Sequence, residues 1–125
     1  MSDGFVFEEL SVGQKASFAK TITEADILLF AAVSGDTNPV HINAEAAAAS
    51  MFKERIAHGM LSASLISTVL GTRLPGPGTI YLSQPLNFRA PVRPGQTVHA
   101  SVCVSAVDVA RRRVTLDTVC RVGEP

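Results

Sequence analysis

Alternating apolar and polar residues run through the last third of the chain and predict β-strands. Apolar side chains recur at every second position from Val98 to Ala106, and again from Val114 to Val122. A third alternating stretch, Ile80 to Phe88, contains Pro85, which suits an edge strand or a bulge because proline cannot donate to a neighbouring strand. Turn residues separate these stretches, so the pattern predicts antiparallel strands joined by tight turns.

The first half of the chain shows the signals of helices. Thr23 to Asp26 resembles a capping box, and Gly35 is a suitable stop, so a helix is expected between them. Asn43 can cap a second, alanine-rich helix that runs from Ala44 to about Phe52. From His58 to Gly71 the apolar residues point in nearly every direction around a helix, which predicts a helix buried on all sides.

The order of these elements predicts the fold class. A short strand before Lys20 is followed by helices, by the very apolar helix and then by the run of strands, which is an α+β layout. A helix buried on all sides has to be wrapped, and a curved antiparallel sheet is the element available to wrap it. The length of 125 residues suits a single domain.

The last two strands form a predicted hairpin that carries both cysteines, Cys103 and Cys120. The apolar residues of both strands stand at even positions, so facing positions must sum to an even number if the two sets share a face. That register requires a loop of odd length, and it turns Cys120 toward the core and Cys103 away from it. We therefore expect two unbonded cysteines on opposite faces of the sheet.

Composition and charge exclude several classes of protein. Eleven basic and eleven acidic residues balance, so the sequence predicts neither a nucleic-acid surface nor a membrane surface. No stretch is apolar for the roughly 18 residues that a membrane span needs. Met1 to Gly4 shows no signal peptide, which favours a cytoplasmic protein. The cysteines and histidines lack the spacing of metal ligands, so no metal site is expected.

The loop from Ser34 to His41 contains the candidate chemistry. Asp36 and His41 are five residues apart, a spacing that brings side chains together in neither a helix nor a strand. Pro39 can bend the chain so that the two side chains converge. A carboxylate and an imidazole that meet at one point can activate water, although a capping or surface pair has the same residues.

The same loop, read as Ser-Gly-Asp-Thr-Asn-Pro-Val-His, is followed seventeen residues later by His58-Gly59-Met60. Together these residues resemble the signature of the MaoC-like family of (R)-specific enoyl-CoA hydratases, also called hydratase 2. Gly71 to Leu82 resembles that family as well, and the likeness extends from about Val12 to Val122. The resemblance implies a hot-dog fold and a single MaoC-like domain over residues 1–125.

The resemblance also implies a reaction. Asp36 and His41 would hold a water molecule and add it to a trans-2-enoyl-CoA thioester, which gives an (R)-3-hydroxyacyl-CoA. Asp36 would be the main proton acceptor, and either residue could return a proton to the α-carbon. The resemblance further implies precursor supply for polyhydroxyalkanoate, no cofactor beyond the coenzyme A of the substrate, and a homodimer with the site at the subunit boundary.

Other residues are expected to have supporting roles. Gly59 begins the apolar helix, where free N–H groups can stabilise the negative charge that develops on the thioester oxygen. Asn38 is expected to fix the loop through hydrogen bonds to backbone, and His58 to be structural. Family resemblance suggests an active-site role for Ser67. Leu70 and Leu82 are candidates for the acyl pocket, although core packing explains them equally well.

Several alternatives stay open. Family members continue beyond Val122 into one more strand, and Gly123 to Pro125 resembles the start of the turn before it. Leu70 to Leu82 also resembles a hydratase-like domain fused ahead of a phosphate acyltransferase. A hot-dog acyl-CoA thioesterase would need a carboxylate on the apolar helix, and His58 to Leu70 has none. A non-catalytic acyl-CoA-binding subunit would have lost Asp36 or His41.

Overall fold

The computed structural model describes residues 4–123, which form three strands and four α-helices. Met1 to Asp3, which bear on the signal-peptide prediction, and Glu124 and Pro125, which bear on the predicted final turn, lie outside the described residues. The elements, in chain order, are β1 (Lys15–Thr21), α1 (Glu24–Ser34), α2 (Pro39–Ile42), α3 (Ala44–Ala48), α4 (Gly59–Thr72), β2 (Thr97–Asp108) and β3 (Arg113–Val122).

The strands form an antiparallel sheet in the order β1-β2-β3, and α4 packs against it. The alternation in β2 puts Val98, Ala100, Val102 and Val104 in the core, and all are at most 2% exposed. These residues pack with one face of α4, which contributes Leu65 and Val69 among others. The predicted α+β class is confirmed. Within the described residues, no helix is long and apolar enough to span a membrane.

The hairpin of β2 and β3 confirms the predicted register and corrects the predicted loop. Ala100 pairs with Cys120, and Cys103 pairs with Asp117, so facing positions sum to an even number. Cys120 packs against the core while Cys103 lies on the other face, and both are unbonded. The loop, 109–112, has an even number of residues rather than an odd one. A bulge between Val104 and Ala106 takes up the extra residue.

The capping contacts predicted for the two ends of α1 are present. The Thr23 hydroxyl accepts from the Asp26 N–H, the Asp26 carboxylate accepts from the Thr23 N–H, and Gly35 ends the helix in the left-handed conformation. Asn43 caps α3, which ends at Ala48 and is shorter than predicted. The predicted loop before it contains the one-turn helix α2, because Asn38 caps a helix that begins at Pro39.

Two predictions about the centre of the fold are wrong. One face of α4 is exposed rather than wrapped: Met60 is 55% exposed, and Ser64, Ser67 and Gly71 are exposed beside it. The stretch from Ile80 to Phe88 forms no strand, and Ile80, Leu82 and Phe88 remain largely exposed. No other segment among the described residues pairs with this stretch through backbone hydrogen bonds. A strand cannot form without such a neighbour.

Candidate active site

Local hydrogen bonds shape the loop that carries Asp36. The Ser34 hydroxyl accepts from the Asp36 N–H at 3.1 Å, and itself donates to the Phe30 carbonyl at the end of α1. The Asn38 N–H donates to Oδ1 of Asp36 at 3.2 Å. Gly35, with φ of 79°, makes the sharp turn between helix and loop. These contacts fix Asp36 directly after α1 and occupy one of its two carboxylate oxygens.

His41 is held in a single tautomer on α2. Its Nδ1 lies 2.8 Å from the carbonyl oxygen of Ile56. A carbonyl can only accept, so Nδ1 carries the hydrogen and Nε2 of the neutral ring keeps a free lone pair. Asn38 positions the short helix, since its side chain accepts from the Val40 N–H at 3.2 Å. This confirms the expected bond from Asn38 to the backbone.

His58 lies beside this pair, although sequence reasoning gave it no part in the site. It is the N-cap residue of α4, and its ring stacks on that of His41 with centroids 3.8 Å apart. Its Nε2 lies 2.9 Å from the carbonyl oxygen of Asp36. The histidine that precedes Gly59 in the sequence was the available signal, but its long-range contacts are visible only in the folded chain.

The three side chains converge on one point. One carboxylate oxygen of Asp36 and one ring nitrogen each from His41 and His58 all lie within 4.8 Å of one another. Such a group could also ligate a metal, but Nδ1 of His41 and Nε2 of His58 each already bond a backbone carbonyl. A carboxylate and an imidazole this close together are suited to binding and activating a water molecule.

A cavity of about 1310 Å³ opens beside this cluster. Asp36, His41 and the first turns of α4 line one side of it. Two segments, Pro85 to Val92 and Thr118 to Val122, form much of the remaining lining. Arg89 and Arg121 belong to these segments and form no ion pair with any residue that the structure describes. Their positive charge at an open cavity would attract a negatively charged ligand.

The start of α4 faces the same cavity. Within residues 4–123, the N–H groups of Gly59 and Met60 have no hydrogen-bond acceptor. The positive end of the helix dipole lies at this point, so the N–H groups can stabilise a developing oxyanion. Phe88 packs on Gly59 so closely that an added Cβ would lie 2.7 Å from two of its ring atoms. Only glycine allows such close approach here.

Not all predicted site residues reach the cavity. Ser67 is exposed on the uncovered face of α4 and does not line the cavity. Leu70 is 6% exposed and belongs to the core, while Leu82 is 66% exposed, so the structure places neither in an acyl pocket. Ser62 lines the cavity instead, and its hydroxyl is buried without a partner among the described residues.

Cys120 also lines the cavity, next to Ser62. Its thiol lies 3.5 Å from the Ser62 carbonyl, and burial raises the pKa of this thiol above the ordinary cysteine value. A raised pKa keeps the thiol protonated near neutral pH, which makes it a poor nucleophile. Cys120 is therefore a packing residue of the cavity wall.

The chain belongs to the family described as "MaoC like domain", whose model matches residues 8–122. Among its relatives is an (R)-specific enoyl-CoA hydratase of Rhodospirillum rubrum, which is 58% identical over 94% of this chain and 81% of the relative. A 3-hydroxybutyryl-CoA dehydratase of Methylorubrum extorquens is 50% identical over 94% of this chain and 75% of that protein.

A solved structure extends the likeness to three dimensions. The (R)-hydratase from A. caviae involved in PHA biosynthesis matches with a TM-score of 0.89 and 44% identity, over 92% of this chain and 87% of that one. The match confirms the predicted hot-dog fold.

Proposed function

We propose that this protein is an (R)-specific enoyl-CoA hydratase that adds water to trans-2-enoyl-CoA. The observation that carries the proposal is the convergence of the Asp36 carboxylate and the His41 imidazole at the start of α4. The free lone pair on Nε2 of His41 and the unoccupied Asp36 oxygen can each accept a hydrogen from one water molecule. The relative that is 58% identical is named as a hydratase, and the relative that is 50% identical is named as a dehydratase, which is the reverse type of reaction.

In the proposed reaction, Asp36 accepts a proton as the water oxygen attacks the β-carbon of the enoyl thioester. His41 orients that water and shares the proton transfer, and a proton is then delivered to the α-carbon. Addition of water from the Asp36 side of the cavity would give a single configuration at the β-carbon. No cofactor enters these steps, since coenzyme A is part of the substrate.

Negative charge develops on the thioester oxygen as the β-carbon is attacked. The free N–H groups at Gly59 and Met60 can donate to this oxygen, at the positive end of the α4 dipole. The acyl chain would lie in the cavity, and the phosphates of coenzyme A would lie toward Arg89 and Arg121. This arrangement places the double bond between the acid–base pair and the oxyanion donors.

We also propose that the protein acts as a homodimer, with polyhydroxyalkanoate precursor supply as one use of its product. An exposed apolar stretch supports an interface: Ile80, Leu82 and Phe88 are largely exposed along the segment from Ile80 to Phe88. An extended stretch without a neighbour can pair with a second copy. Light scattering at micromolar concentration should give twice the monomer mass, and a fully active monomer would contradict this assembly.

The activity is tested with crotonyl-CoA. Loss of absorbance at the enoyl-thioester band should accompany formation of (R)-3-hydroxybutyryl-CoA, identified by chiral chromatography. A thiol-release assay run in parallel separates hydration from hydrolysis, because a thioesterase frees coenzyme A and a hydratase does not. Thiol release without hydration would assign the protein to the thioesterases, and no reaction in either assay would support a non-catalytic subunit.

A further inference from the structure

His58 is a buried histidine at the junction between the candidate loop and α4. It is 2% exposed, and it stands directly before Gly59. Its ring is stacked on His41 at an interplanar angle of 26° and also contacts the ring of Phe30, with centroids 4.9 Å apart. A buried polar side chain lowers stability unless it forms hydrogen bonds. The contacts of His58 therefore indicate its role at this junction.

The hydrogen bond from His58 attaches Asp36 to the central helix. A backbone carbonyl can only accept, so Nε2 of His58 carries a hydrogen and donates it to the carbonyl of Asp36 at 2.9 Å. The other bonds at Asp36 involve Ser34 and Asn38, each two residues away. Those bonds shape the loop but do not set its distance from α4, whereas the bond from His58 does.

The two stacked histidines therefore have opposite tautomers. His41 carries its hydrogen on Nδ1, where it bonds Ile56, and His58 carries its hydrogen on Nε2. The remaining nitrogen of His58, Nδ1, is buried and has no partner among residues 4–123. Without a hydrogen, this nitrogen cannot donate to Asp36, and its burial closes it to solvent. The arrangement gives His58 a role in geometry rather than in proton transfer.

We propose that His58 is a positioning residue of the hydratase reaction. Its Nε2–H holds the main chain of Asp36, and its ring supports that of His41, so that both members of the pair keep their distance to the N–H groups at Gly59. This inference rests on the proposed function. A small displacement of a catalytic group lowers the rate of the chemical step without weakening substrate binding, so the effect should lie in kcat.

Two matched substitutions separate the hydrogen bond from the bulk of the side chain. In His58→Gln the amide nitrogen reaches about as far as Nε2 and can still donate to Asp36, while in His58→Asn it reaches only about as far as Nδ1. We expect His58→Asn to lower kcat by at least about tenfold more than His58→Gln, the scale of a buried acceptor left unpaired, with KM for crotonyl-CoA nearly unchanged.

Melting temperatures of the two variants show whether His58 has only a structural role. If His58 only filled space, both variants would lose stability together and keep wild-type kcat per folded molecule. Equal kcat values in the two variants, or a change confined to KM, would therefore overturn the proposal. Because asparagine and glutamine have the same functional group, the comparison holds the polarity of the side chain constant.

A second measurement does not depend on activity. Long-range nitrogen–proton NMR spectra of the ¹⁵N-histidine-labelled protein distinguish the two tautomers of each ring. We expect His58 to carry its hydrogen on Nε2 and His41 on Nδ1. The Nδ1–H form of His58 would overturn the inference even in an active enzyme. The expected tautomers in a protein without hydratase activity would uphold the positioning geometry and refute the proposed function instead.

Discussion

The two walls of the cavity differ in what holds them in place. The wall that carries Asp36 and His41 is held by short-range hydrogen bonds, from the Asp36 N–H to Ser34 and from the Asn38 N–H to Asp36. Long-range hydrogen bonds from His41 to Ile56 and from His58 to Asp36 hold it as well. The other wall consists in part of Pro85 to Val92, and this segment has no regular secondary structure. Phe88 in that wall is 62% exposed.

This difference separates two tasks of one site. Acid–base chemistry depends on fixed distances, and the first wall has the hydrogen bonds that fix them. An acyl chain is bound by apolar contact, which tolerates variation in shape, and Pro85 to Val92 in the second wall offers Leu86 and Phe88 outside any helix or strand. Substitutions in the first wall should therefore alter kcat, and those in the second should alter the preference for chain length.

The largest effect is expected from Asp36→Asn and His41→Asn. Each removes a proton acceptor and keeps a neighbouring hydrogen bond: the asparagine oxygen at 36 can still accept from the Asn38 N–H, and the amide at 41 can still donate to Ile56. We expect kcat to fall by at least about a hundredfold in each variant, with an unchanged circular dichroism spectrum. Near-normal turnover in either variant would refute the assignment of this pair.

Gly59→Ala should lower kcat by about tenfold or more, because the added methyl group blocks the approach of the thioester to the helix N-terminus. The same methyl group would also meet the ring of Phe88. The double variant Gly59→Ala with Phe88→Ala removes that clash. Activity should stay low in the double variant, and its return to the level of Phe88→Ala alone would show that Gly59 serves only to accommodate the ring.

Leu86→Ala tests the opposite wall. Leu86 lines the cavity, so its truncation should raise KM for an eight-carbon enoyl-CoA by about tenfold, the scale of a few methylene contacts in an apolar pocket. KM and kcat for crotonyl-CoA should change little. Leu29→Ala is the matched control, since Leu29 is 64% exposed and lies outside the cavity. Equal effects of both substitutions would refute the assignment of this wall to the acyl chain.

The smallest effect concerns the capping box at the start of α1, the helix that leads into the loop with Asp36. A hydrogen bond from Lys20 and one from the backbone of Thr23 hold the pKa of Asp26 below its ordinary value. A lowered pKa in the folded state stabilises the protein above the ordinary aspartate pKa, and this contribution is lost as pH falls below it. Asp26→Ala should lower the free energy of unfolding by about 1 kcal/mol at pH 7.

Denaturant unfolding at pH 7 and at pH 3 measures this contribution. The difference between wild type and Asp26→Ala should shrink at the lower pH, while kcat per folded molecule stays at the wild-type level. A difference in unfolding free energy that grows as pH falls would contradict the direction of the pKa shift.

The sequence by itself determined the elements whose signals are local. The capping box at Thr23, the stop at Gly35 and the even-numbered apolar positions of the hairpin each involve residues close in the chain or a pattern of period two. The motif from Ser34 to His41, taken with its resemblance to known hydratases, also predicted the family, which the comparisons confirm. The bulge at the end of β2 escaped prediction because it leaves the apolar pattern intact over most of the hairpin.

Only the tertiary structure decided what depends on distant neighbours. Ile80 to Phe88 has the alternation of a strand, but a strand forms only where another chain segment accepts its hydrogen bonds. The serines on α4 look alike in sequence, yet Ser62 faces the cavity and Ser67 faces outward, because the sheet covers one side of the helix. His58 reaches Asp36 across 22 positions of the chain, a contact that folding creates and no local pattern records.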